Sequence, residues 1–169
     1  FTRGTRGEVR KETDIGSVPE SWDVVDFATV RQWLQYGTSQ RCTTEQAAYP
    51  VLRIPNIEPG RVNAAELKYC DMSENEAGNY RLEDGDLVFI RTNGVLERLG
   101  SCAVYSGQPA RALFASYLIR ARLQLDKIVP RFAAFFFSSE RGTALVAGRA
   151  TPAADGKYNL NTGTIDSLP

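Results

Sequence analysis

The chain has no histidine. That absence removes the usual general base at neutral pH, the Ser–His–Asp and Cys–His nucleophile arrangements, and the commonest metal ligand. Cysteine is scarce. Cys42, Cys70 and Cys102 are odd in number, widely spaced and form no C-x-x-C pair. This argues against a disulfide framework or a zinc knuckle and points to a reducing, cytoplasmic setting. Long apolar runs are missing too: the stretch around Phe132–Phe137 falls far short of the ~20 residues a membrane span needs. Net charge is zero, which taken alone argues against a nucleic-acid binder. The sequence begins without Met and shows no signal-peptide pattern. The opening FTRGTRG reads as the start of a piece of a longer protein.

What is present fits one domain able to bury its own core, with 169 residues and an ordinary 43% hydrophobic content. The charge is unevenly spread. Between Glu66 and Asp86 seven acids face only Lys68 and Arg81; between Leu87 and Leu125 five arginines face Glu97 alone. Sixteen of the twenty basic residues are arginine. Arginine is the better fork for phosphate and for guanine edges, although a GC-rich coding bias explains the preference as well.

Residues 1–13 are polar and charged and read as a linker, leaving 14–169 as the domain. Turn chemistry at Asp14–Trp22 leads into an expected short strand, Trp22–Phe27, followed by an expected helical segment, Thr29–Leu34, closed by Gly37. Tyr49–Ile57 carries two prolines and reads as an edge or irregular strand. Leu87–Thr92 and Ser101–Tyr105 are regular strands. Ser116–Leu125 alternates, with Arg120 and Arg122 on one face. Pro130 suits the first turn of a helix expected to run through Ala147 with a large apolar face. Many strands followed by a good helix argue for an α+β fold: a β-rich single domain with a twisted antiparallel or mixed sheet and a C-terminal helix.

Several stretches hold candidate chemistry. Asp84 and Asp86 form a potential carboxylate pair, but Glu-Asp-Gly-Asp reads better as a turn opening a strand. Glu66-Leu-Lys68 has the spacing of a metal-dependent nuclease, without an upstream Pro-Asp to complete it. At the end of the apolar strand Leu87–Ile90, a tight turn at Asn93-Gly94 presents Arg91 and Asn93, whose side chains pair bidentately with guanine and adenine edges. The same Arg91 buried against an acid would instead lock the domain. Gly37-Thr-Ser-Gln-Arg41 offers Thr38, Ser39 and Arg41 as phosphate donors. Lys157-Tyr-Asn159 forms a second polar loop. Arg53, inside an apolar strand, needs an acid such as Glu58 or Asp86, or else faces a ligand.

Together these stretches resemble one family. Thr13-Asp-Ile-Gly-Ser-Val-Pro-Glu-Ser-Trp-Asp-Val-Val, Tyr36-Gly-Thr-Ser, Tyr49-Pro-Val-Leu-Arg-Ile-Pro-Asn-Ile, Leu82-Glu-Asp-Gly-Asp-Leu-Val-Phe-Ile-Arg-Thr-Asn-Gly, Phe114-Ala-Ser-Tyr-Leu-Ile-Arg and Asn159-Leu-Asn161 resemble, in order and spacing, a target recognition domain of a type I restriction–modification specificity subunit. The departure is at Ala153–Lys157, where the family more often has a Gly/Ser/Gln-rich loop. The resemblance implies a non-catalytic, β-rich domain that takes no cofactor or metal and reads one half of a bipartite double-stranded DNA target. It also implies methyltransferase and restriction subunits as partners, and a second such domain beyond a spacer helix. Phe1-Thr-Arg-Gly resembles the exit of that helix, which suits the second domain of the parent. The DNA contacts expected are Thr38, Ser39, Arg41, Arg53, Asn56, Arg91, Asn93, Lys157 and Asn159. Two other readings stay open: a metal-dependent nuclease built on Glu66 and Lys68, and a protein-assembly module.

Overall fold

A computed structural model of the chain describes residues 7–169; the Phe1–Gly4 stretch lies outside the described residues. The strands are β1 (Arg10–Lys11), β2 (Val18–Pro19), β3 (Arg31–Tyr36), β4 (Tyr49–Leu52), β5 (Ile57–Glu58), β6 (Gly60–Val62), β7 (Lys68–Cys70), β8 (Leu87–Ile90) and β9 (Thr92–Asn93). They continue with β10 (Cys102–Val104), β11 (Leu113–Phe114), β12 (Leu118–Leu123), β13 (Thr151–Pro152) and β14 (Tyr158–Asn159). Among the described residues four α-helices accompany them: α1 (Glu74–Tyr80), α2 (Pro130–Phe137), α3 (Glu140–Ala147) and α4 (Thr162–Asp166). The fold is α+β. Its main sheet has six strands in the order β3-β12-β8-β10-β6-β5, antiparallel except for β10 beside β6. Smaller sheets, β11-β4-β7 and β13-β14-β9, flank it, and β1 pairs with β2.

Strand β8 shows why the main sheet is central. All four of its residues are buried, and the period of two splits them. Leu87 and Phe89 enter a core shared with Phe27, Ala133, Phe137, Val146 and Ile165. Val88 and Ile90 enter a second core with Leu52, Ile57, Tyr105 and Phe114. In the first core Phe27, Phe89 and Phe137 meet edge to face, with ring centroids 5.2–5.9 Å apart. Such pairs are worth about 0.5–1.5 kcal/mol each beyond the area they bury.

Three local expectations are corrected. The helical segment expected over Thr29–Leu34 is instead strand β3 from Arg31 onward, and the strand runs to Tyr36. Its pattern is too short to settle helix against strand, and the ladder to β12, far away in sequence, decides it. Trp22–Phe27 is an irregular connection rather than a strand, with Trp22 edge-on to Phe132 at 5.6 Å. The helix expected through Ala147 is two helices. Ser139 Oγ accepts from Gly142 N–H at 3.1 Å and starts α3, and a Cβ on Gly142 would collide with the Phe136 carbonyl and Phe137 Cα. Of the two alternatives for Tyr49–Ile57 the irregular strand holds: β4 stops at Leu52 and a turn at Ile54–Asn56 precedes β5, while β4 is the middle strand of its sheet and not an edge, and Pro50 precedes the residues that pair with β11. Arg10–Lys11, inside the expected linker, pair with Val18–Pro19.

Candidate nucleic-acid interface

Strand β12 runs antiparallel to both neighbours, with Ile119 opposite Tyr36 and Leu118 opposite Ile90. The chain therefore leaves β3, leaves β8 and enters β12 at one rim of the sheet. Main-chain bonds sew these loops together. Thr38 N–H donates to Phe114 O at 2.9 Å, and Ser116 N–H to Thr38 O at 2.8 Å. Arg91 N–H donates to Tyr117 O at 3.1 Å, and Leu160 N–H to Arg91 O at 2.8 Å. Strand β14 then lies along β9, with Tyr158 opposite Asn93 and Asn159 opposite Thr92. Loops distant in sequence thus form one continuous surface. Gly37 permits it: a Cβ there would strike the carbonyl oxygens of Phe114 and Ala115.

Arg91 sits at the centre of this rim. Its guanidinium lies over the Tyr36 ring, 4.8 Å from the centroid, and Nη1 donates to Ser116 O at 3.3 Å. Nε is buried without a hydrogen-bond partner, and no ion pair reaches this side chain among the described residues. Asn93 Oδ1 accepts from Val95 N–H at 2.9 Å, a local turn that aims its amide. On the Thr38 side, a cleft is lined by Thr38, Ser39, Gln40, Arg53, Lys68 and Tyr117, among others. Arg53 Nη2 donates to Glu66 O at 2.7 Å, so neither Glu58 nor Asp86 holds it. Arg41 is exposed. Lys157 is exposed and paired with Asp155 at 2.7 Å, which raises the ammonium above its usual range.

Eight of the nine expected contacts therefore lie at or beside one rim or its flanking loops. Asn56 does not, and this is a correction. It is 1% exposed; its Oδ1 accepts from Arg53 N–H at 2.9 Å, and its Nδ2 donates to Asn63 O at 3.0 Å and Ala65 O at 2.9 Å. With its amide fully engaged, it shapes the turn after β4. Sequence reasoning did not place Tyr36, Ser116, Tyr117 and Lys68 at this rim, although the first three stood in the quoted motifs and Lys68 in the nuclease reading. Tyr117, 57% exposed between two buried strands, was the legible signal: a large ring at a turn that no core needs.

The uneven charge resolves differently. Three acids of the acid-rich stretch, Glu74, Glu83 and Asp86, pair with three arginines of the arginine-rich one, Arg111, Arg120 and Arg122, and of these only Asp86 and Arg120 are fully buried. Asp86 is 2% exposed, caps its own turn by accepting from Glu83 N–H at 2.8 Å, and holds Arg122 through two bonds of 2.8 and 2.9 Å. Arg120, 3% exposed, lies 3.8 Å from Asp86 and 4.4 Å from the Trp33 ring centroid. Burial lowers it to about 10 despite Asp86. Arg122 also meets Glu83 at 2.7 Å, and Arg111 meets Glu74 at 2.7 Å. Arginines that lock the domain to acids do exist, but Arg91 is not among them. For a nuclease, Glu66 offers its carbonyl to Arg53, and no cluster of three or more His, Cys, Asp or Glu suited to a metal ion occurs among the described residues. No described helix is long and apolar enough to cross a membrane.

No protein-family model matches the chain. It is 34% identical over 116 residues to the type I restriction enzyme EcoKI specificity subunit of Escherichia coli (strain K12), covering 68% of this chain and 25% of that protein. It is 29% identical over 123 residues to the putative type I restriction enzyme MjaX specificity subunit of Methanocaldococcus jannaschii, covering 72% and 29%. A third similarity, 24% over 118 residues, is to the type I restriction enzyme StySPI specificity subunit of Salmonella potsdam, covering 70% and 25%. The chain spans about a quarter of the length of the curated relatives it matches.

Proposed function

This chain is a domain of the type I restriction enzyme specificity subunit family, and on that premise we propose that it reads one half of a bipartite double-stranded DNA target without catalysing a reaction. Arg91 carries the proposal. A guanidinium braced by a ring and a carbonyl, with no acid partner among the described residues, is preorganised for an acceptor pair such as guanine O6 and N7. Asn93 and Asn159 flank it along the β9–β14 ladder. Thr38, Ser39, Arg41, Arg53 and Lys68 suit phosphate oxygens and fix register. Lys157 reaches the backbone only by leaving Asp155.

Methyl transfer and cleavage belong, in this reading, to methyltransferase and restriction subunits with which the parent protein assembles in the cytoplasm. The matched share of the relatives leaves room for a second recognition domain and a spacer. The decisive experiment replaces Arg91 and Asn93 by Ala in the assembled enzyme and maps methylated sites by base-modification sequencing. Loss or relaxation of the half-site is expected. An unchanged methylation motif with undiminished affinity would rule both residues out as readers.

A further inference from the structure

Cys42 and Cys70, far apart in sequence, face each other in the fold. Thr43 and Tyr69 form an antiparallel bridge and exchange both main-chain hydrogen bonds at 2.8 Å. The next step along that pairing sets Cys42 opposite Cys70. Beside a doubly bonded pair, an antiparallel ladder has its narrow step, with Cα atoms about 4.5 Å apart. A disulfide spans Cα separations of about 4.4–6.8 Å. Side chains at opposed positions leave the same face, and Cys42 packs against the cluster that contains Cys70, Tyr49 and Val51. Both are free thiols. Cys42 also lines the cleft with Thr38, Ser39, Arg53 and Lys68, whereas Cys70 is buried behind it.

We propose that Cys42 and Cys70 are a redox pair that closes to an intradomain disulfide and thereby controls the Thr38–Arg41 loop; the control of DNA reading, though not the disulfide itself, rests on the function proposed above. The partly exposed Cys42 reacts first. Its thiolate attacks a hydroperoxide, the O–O bond breaks, and the departing alkoxide takes a proton to leave as alcohol or water, giving a Cys42 sulfenic acid. The Cys70 thiolate then attacks that sulfur; the S–S bond forms, the S–O bond breaks, and hydroxide leaves as water with the Cys70 proton. Two thiols and one hydroperoxide thus yield a disulfide, an alcohol (or water) and water, with two electrons passed to the peroxide. Burial raises both thiols, Cys70 to about 11, while Lys68 and Arg53 pull Cys42 back down. Closure therefore accelerates as pH rises, because the thiolate is the attacking species. In the reduced form Cys42 Sγ donates to Gln40 O at 3.3 Å. The disulfide removes that latch from the loop and ties Cys42 to β7.

The test treats the chain with hydrogen peroxide, blocks free thiols and maps tryptic peptides. Expected is a peptide Cys42–Arg53 linked to Tyr69–Arg81 and released by dithiothreitol. In Cys70→Ser, Cys42 should instead be trapped as sulfenic acid by dimedone; in Cys42→Ser, Cys70 should stay a thiol. Wild-type protein in which Cys42 is overoxidised or bridged between molecules, with Cys70 still free, overturns the pair. Oxidised and reduced forms are then compared on labelled random-sequence duplex DNA at low salt. The oxidised wild type should lose retention and Cys42→Ser should not respond to peroxide. Equal retention by both forms overturns the control of the loop. Binding by neither form overturns the DNA reading, while the linked peptide still decides the disulfide.

Discussion

At the scale of single residues, chemistry alone does not separate readers from braces; partners do. Asn56 and Asn93 are both asparagines at turns. Asn56 spends its amide on Arg53, Asn63 and Ala65, whereas Asn93 uses one oxygen on Val95. Replacing Asn56 by Ala should therefore destabilise the fold by about 1–3 kcal/mol, since the Arg53 N–H loses its acceptor and the carbonyls of Asn63 and Ala65 lose their donors. Denaturant midpoints should register this, and the methylation motif of the surviving enzyme should stay the same. Arg91→Lys makes the opposite case. A lysine keeps the charge but lacks the planar fork, so it should fail to restore the half-site lost in Arg91→Ala. Recovery of full specificity by lysine would show that only charge matters there. The RTNG stretch was legible as a candidate from sequence, but its two open readings were not separable, because an arginine's partner lies anywhere in the chain.

At the scale of elements, helix α1 is anchored by chemistry written locally and used distantly. Ser73 caps it by accepting from Glu76 N–H at 3.3 Å, and Glu76 reaches back to Ser73. Glu74, in the first turn, accepts from Tyr49 on β4, from Arg81 and from Arg111. The Tyr49 hydroxyl and then Arg81 hold the Glu74 carboxyl down at about 2, against an ordinary 4.5. A carboxyl depressed by folding contributes its stability above its unfolded value and loses it as pH falls toward the folded value. Acid titration of the folded state should therefore show stability falling between about pH 4.5 and pH 2, and Glu74→Gln should flatten that limb. A limb of unchanged steepness in Glu74→Gln would assign the acid sensitivity elsewhere. The capping pattern Ser-x-x-Glu was readable; the anchoring to β4 was not, since it joins segments paired only through the sheet.

At the scale of the whole molecule, the zero net charge is not spread evenly in space. Acids and arginines from the two halves of the sequence cancel around Asp86 and Glu74. Arg53, Lys68 and Arg91 are left without acid partners among the described residues, along one side of the fold. Asp86→Asn should cost about 3–5 kcal/mol, because it strands the buried Arg120 and weakens Arg122's anchor, and thermal unfolding would read it. A loss below about 0.5 kcal/mol, the size expected of an ordinary surface change, would refute a buried network. Lys68, in contrast, should matter to binding through salt. If it meets a phosphate, Lys68→Ala should lower affinity alike for all sequences and reduce the slope of log affinity against log salt by about one. An unaltered slope would remove Lys68 from the backbone contacts.

Sequence by itself determined the class of fold, the apolar strand at Leu87–Ile90, the turn acids before it, and the set of polar loops, because periodicity and turn chemistry act over a few residues. Only the tertiary structure decided that Arg31–Tyr36 is a strand, that Asn56 is a brace, that Arg120 and Arg122 rather than Arg91 bind Asp86, and that Cys42 faces Cys70. Each of these depends on what lies across a sheet. A ladder partner dozens of residues away supplies hydrogen bonds and burial that outweigh local propensity, and it leaves no mark in the local sequence.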